Sequence, residues 1–137
     1  MSHPGLCAAV ASALWAGASV ALACGEGLAR PTRQIEDAQW LLVYRTAPDP
    51  VKVGRHFGID FAVCPRDQAA LPAEVRVDAH MPEHRHGMNY KPSVASLGNG
   101  LYRAEGLMLH MPWRWELVFE LRGTGTPLRL AQTLQID

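Results

Sequence analysis

Neither sign of charge is in surplus in this 137-residue chain: Lys plus Arg and Asp plus Glu number 13 each. Nucleic-acid binding rests on concentrated Lys and Arg, so the balance argues against a nucleic-acid partner. Cysteine is scarce, three in all, and no two form a C-x-x-C pair. That removes the redox and zinc motifs built on this spacing. There is no Gly-rich phosphate loop and no G-x-S-x-G turn for a nucleophile. Asp78 and Glu83 lack the setting of a paired-carboxylate site, and no enzymatic activity is expected. No segment carries an apolar stripe of helical period. The 10 prolines and 12 glycines point to many turns and few long helices.

The N-terminus is the first positive feature. Leu6 to Ala23 are nearly all apolar or small, without charge, and end in Ala21-Leu22-Ala23 directly before Cys24. This reads as an export signal over residues 1–23 with an A-x-A cleavage pattern. Its n-region has only the amino terminus and His3 where Lys or Arg is usual, and a run of about 18 residues could also span a bilayer as an uncleaved anchor. Cys7 falls inside the signal, which leaves Cys24 and Cys64. In an oxidising compartment these read first as one disulfide. The alternatives are free thiols, or a lipoprotein with lipidated Cys24, although Ala21 stands where a lipobox expects Leu. The disulfide and the lipoprotein both place the protein in the periplasm or cell envelope. Membrane contact is expected only through an uncleaved signal or a lipidated Cys24.

Residues 24–37 read as a polar connector, and residues 38–137 as one domain. Within it the apolar period is two. Trp40 to Tyr44 is a compact strand, ended by Ala47-Pro48-Asp49-Pro50. Phe57, Ile59, Phe61 and Val63 alternate with smaller or polar residues, as do Val75, Val77, Ala79 and Met81. Ser93–Leu97 and Leu101–Glu105 flank Gly98-Asn99-Gly100, a hairpin signal because Gly and Asn supply positive φ. Trp115, Leu117, Phe119 and Leu121 form another strand, and Leu128 to Ile136 the last. About seven short antiparallel strands predict an all-β, immunoglobulin-like β-sandwich.

Chemistry concentrates in one window. Between His80 and Met111 lie four of the six histidines and every methionine except the initiator. They form two runs, H-M-P-E-H-R-H-G-M from His80 to Met88 and M-L-H-M from Met108 to Met111. Imidazole with thioether suits copper, and thioether favours the cuprous ion; zinc would want Cys, His or carboxylate. On the expected layout His84, His86 and Met88 lie in a loop that Gly87 allows to bend, and His110 and Met111 end the next segment. Loops at one end of a sandwich converge in space. The preferred metal ligands are therefore His86, Met88, His110 and Met111, with His84 and Met81 as replacements. Alternation separates His80 from Met81, and Met108 with His110 from Met111, so not all can face one ion. Met81 and Met108 also have core readings, and His80 a surface one. His56 reads as an ordinary histidine, and Tyr102 and Trp115 as packing residues.

The stretch D-A-H-M-P-E-H-R-H-G-M-N-Y-K-P-S-V, then L-Y-R-A-E-G-L-M-L-H-M-P and W-E-L-V-F-E, resembles the YtkA-like family of small exported bacterial domains, FixH-like in character. The resemblance covers roughly Gln39 to Ile136. It implies an immunoglobulin-like sandwich at the cell envelope and a link to copper or respiratory-oxidase maturation. The family pattern has Gly after the second M-P, where this chain has Trp113; a bulky indole there is expected to change the turn or cover the site. The His-Met run is also similar in kind to periplasmic copper chaperones, where a methionine and a later histidine stand about as far apart as Met88 and His110.

The functional expectation is an exported copper(I)-binding protein that carries or buffers the ion and passes it to a copper-receiving or other envelope partner. The alternative is a non-metal envelope interaction domain in which His80 to Met88 binds a protein. Thioether does not take up protons in the usual pH range, whereas imidazole does, so copper affinity is expected to fall below roughly pH 6. Equal affinity at about pH 5 and about pH 7.5 in a chelator competition would count against histidine ligation.

Overall fold

Alternating apolar residues pair into strands because each strand can then bury one side and wet the other. The computed structural model describes Met1 and residues 23–67, 69–123 and 125–137. The expected signal lies outside these residues apart from its two ends. The strands are β1 (Arg33–Glu36), β2 (Trp40–Ala47), β3 (His56–Pro65), β4 (Glu74–Met81), β5 (His86–Gly87), β6 (Ser93–Gly98), β7 (Leu101–Met108), β8 (Trp113–Arg122) and β9 (Leu128–Ile136), with a 3-10 turn at Pro82–His84. Among the described residues no helix is long and apolar enough to cross a membrane.

Two antiparallel sheets form, in the orders β1-β2-β3-β7-β6 and β5-β4-β8-β9. Without β1 and β5, the order is the four-against-three arrangement of an immunoglobulin-like sandwich. The seven strands expected from the sequence are all present. Phe57, Ile59, Phe61 and Val63 of β3 face Val75, Val77, Ala79 and Met81 of β4 and Trp115, Leu117, Phe119 and Leu121 of β8 in one core. β1 and β5 are additions that periodicity could not reveal, since strands of four and two residues give alternation too little length. β1 lies inside the expected connector and pairs Ile35 with Leu42 at the sheet edge.

Cys24 and Cys64 are joined by a disulfide. It pins the turn at residues 24–27 over the outer face of β2. There Gly25, at φ 73, lies so close to Val43 that an added Cβ would come within 2.8 Å of it. Val43 is thereby buried on a face that would otherwise be wet.

Two tests follow from this frame. The disulfide closes a 40-residue separation, so reduction, or Cys24→Ser with Cys64→Ser, should lower unfolding free energy by roughly 2–4 kcal/mol in a urea titration. An unchanged midpoint would refute this. Tyr44 is fully buried, its hydroxyl finds no hydrogen-bond partner among the described residues, and burial pushes its pKa up to about 12. The folded state thus holds the phenol proton more tightly than the unfolded chain. That contribution is intact below pH 10, the ordinary value, and is lost as pH rises through about 12. The alkaline loss, which arises because burial keeps the phenol neutral while the unfolded chain ionises, is roughly 2–3 kcal/mol. Tyr44→Phe should flatten this alkaline loss and cost little at neutral pH, as read from urea midpoints across pH.

Candidate metal centre

β4 ends at Met81 because Pro82 cannot continue the ladder. The chain turns through Pro82–His84 and reverses at Arg85, whose φ of 49 is left-handed. The bend expected at Gly87 is therefore made by Arg85, and Gly87 belongs to β5. β5 folds back on β4 with His80 opposite Gly87 and Met81 opposite His86. The Met88 N–H then donates to the Ala79 carbonyl at 3.1 Å. Residues opposed across a ladder share a face. Since Ala79 and Met81 are 1% and 0% exposed, His86 and Met88 lie on the inner face as well. His86 is thus a strand residue and not a loop residue, and its direction is set by the pleat.

The second imidazole arrives from the link between β7 and β8. β7 ends at Met108, and buried Leu109 accepts a hydrogen bond from the Gly54 N–H at 2.8 Å. Beyond it strand alternation no longer applies. The His110 ring lies edge-on to Trp115, centroids 5.5 Å apart, and to His86 at 4.6 Å. Trp115 is fully buried and donates its indole N–H to the Met111 carbonyl at 3.0 Å, which holds the turn under His110. The β4–β8 register pairs His80 with Glu116; one step further, Met81 faces Trp115. The inner face therefore carries the row His86, Met81, Trp115, with His110 against both ends.

The Nε2 atoms of His86 and His110 are 2.5 Å apart. Two N–H groups cannot face each other at that distance, so one nitrogen offers a lone pair to the other. Nδ1 of His110 is buried and has no hydrogen-bond partner among the described residues. An unpaired buried donor costs about 1–3 kcal/mol. A buried acceptor left bare carries a like cost, so Nδ1 of His110 is unsatisfied in either tautomer of the pair.

The other expected ligands divide. Met81 is core, in line with its apolar reading, yet borders His86. Met88 is half-buried and packs against the core. Met111 is 37% exposed, and what it gives to this region is its carbonyl. His84 is exposed on the 3-10 turn. His80 is directed away, 3.6 Å from Glu116, and Met108 pairs across the ladder with His56. Among the described residues no three His, Cys, Asp or Glu side chains come together. A third donor from this chain would accordingly be a thioether.

Sequence reasoning weighed Glu83 only as half of a paired-carboxylate site and did not link it to Trp113. Glu83, on the 3-10 turn, accepts from the Trp113 indole N–H at 2.8 Å and pairs with Arg114 at 2.7 Å. Trp113 has φ 110, a conformation glycine adopts freely but which costs another residue of order 1–3 kcal/mol.

No family model matches the chain, and no match was found among curated proteins. Among solved structures it is similar to the crystal structure of a DUF4426 family protein from Pseudomonas aeruginosa PAO1, at 9% identity with a TM-score of 0.52. The match covers 77% of this chain and 94% of that one, and at this identity it shows the sandwich fold alone.

Proposed function

We propose that the protein is exported and holds one copper(I) ion at His86 and His110, with the thioether of Met88 as third donor and Met81 beneath. It would carry or buffer the ion without catalysing a reaction. One observation carries this reading: two imidazole nitrogens 24 residues apart converge to 2.5 Å on a methionine-bearing inner face. Two neutral imidazoles with soft sulfur form a donor set that favours cuprous copper over harder cations. The pair has no room for an ion as it stands, since metal–nitrogen bonds are near 2 Å, so the rings must part on loading. An ion on both Nε2 atoms also sends the His110 proton to Nδ1, where it has no partner among the described residues. The disulfide supports export, and it occupies the sulfur that lipidation of Cys24 would need. The YtkA-like resemblance suggests respiratory-oxidase maturation as the setting, with a copper-receiving envelope protein as partner.

A second reading, an envelope interaction domain without metal, is favoured by the exposed side chains of Trp113, Tyr90 and Met111 near this end of the sandwich. Anaerobic copper(I) titration against a competing chelator separates the two. Retention of one equivalent is expected. His86→Ala or His110→Ala should weaken it by about 100-fold or more, and Met88→Ala by roughly tenfold. No retention against micromolar competitor would sink the copper reading. Unchanged retention after joint replacement of His86 and Met88 by Ala would favour the second.

A further inference from the structure

We propose that Glu83, Trp113 and Arg114 form a clamp that positions His86 against His110. This deepens the copper reading and rests on it only for what the pair is for. No backbone ladder joins the segments of the two imidazoles directly. β5 is bonded to β4 alone, and β4 separates it from β8. His110 lies in the link between β7 and β8, outside any strand. The clamp spans that gap in sequence terms symmetrically: Glu83 precedes His86 by three residues and Trp113 follows His110 by three.

Both oxygens of Glu83 are used, Oε2 on the Trp113 indole at 2.8 Å and Oε1 on the Arg114 guanidinium at 2.7 Å. The backbone does not favour Trp113, at φ 110, and neither does burial, since its side chain is 53% exposed. Its indole N–H is spent on Glu83. A strained, exposed tryptophan bonded to the turn that leads into His86 is accounted for by the link it makes between that turn and the start of β8. Because the clamp ties the two chain segments and not the rings, the imidazoles remain free to part about their own side-chain torsions when a ligand enters. Trp113 and Glu83 are thus positioning residues and would not touch the ion.

The test compares Trp113→Gly, Trp113→Phe, Glu83→Ala and Glu83→Gln in the full chain. Three readouts are thermal midpoint, nitrogen–nitrogen scalar coupling between the His86 and His110 Nε2 nuclei in metal-free protein, and copper(I) retention against a chelator. Trp113→Gly relieves the backbone strain, so its midpoint should stay within a few degrees or rise, while the coupling disappears and copper affinity drops roughly tenfold. Trp113→Phe, having lost the N–H, should lose the coupling and the affinity likewise, but it keeps the strained φ of 110 and so gains nothing in midpoint. Glu83→Gln should fall between wild type and Glu83→Ala, because a carboxamide oxygen still accepts the indole N–H. Persistence of the coupling in both Trp113→Gly and Glu83→Ala overturns the clamp. So does a lowered midpoint with the coupling intact, which would make it a brace of the fold. If wild type retains no copper but the coupling responds as described, the copper reading fails and the clamp stands. If wild type retains copper and the clamp variants keep both coupling and affinity, the clamp fails and the copper reading stands.

Discussion

Burial of alternate side chains between the two sheets holds this molecule in register, and the site depends on it. Each fully buried Val, Leu, Ile, Phe or Met is worth roughly 1.5–3 kcal/mol. A one-residue slip of β4 would turn Val75, Val77, Ala79 and Met81 out to water. Losing the three larger ones would cost roughly 5–9 kcal/mol, comparable with the whole net stability of an ordinary domain, about 5–15 kcal/mol. The register of β4 is therefore not negotiable. Because β5 is bonded to β4, that register also decides which face His86 takes.

The same constraint gives the methionines two roles at once. Met81 is fully buried and would be kept as core in any sandwich of this pattern, yet it stands opposite His86. Its place beside the imidazoles comes from the pleat whether or not it meets an ion. Met88, two residues beyond His86, is only half-buried where it packs against the core, which is why the copper proposal takes it as third donor. Trp115 serves similarly: its ring fills the core under His110 while its N–H secures the turn at Met111.

Much of this was legible in the residues. Period-two alternation located the strands around Phe57–Val63, Val75–Met81 and Trp115–Leu121, since burying one side of a pleat favours that pattern, while a compact apolar run and turn signals located the other four. That the two His-Met runs could meet at one end of the sandwich was an inference from loop placement, and the structure brings one histidine of each, His86 and His110, together. Met111 fared differently. Its place next to His110 suggested a shared site, but the link between β7 and β8 leaves its side chain exposed and uses its carbonyl. Alternation put Met108 and His110 on one face, and that rule lapsed where the strand ended. Glu83 gave no signal, because a carboxylate in a charged loop looks like any solvated one until its partner 30 residues away is in view.

By itself the sequence determined the sandwich, the pairing available to two cysteines, and the soft donor types within one window; these follow from local periodicity and side-chain chemistry. Only the tertiary structure decided which donors meet. The fold-back of β5, the left-handed Arg85, and the Glu83–Trp113 link each depend on contacts between segments distant in the chain. Spacing along the chain cannot encode such contacts, because the distance between two side chains is set by the register and packing of every strand between them.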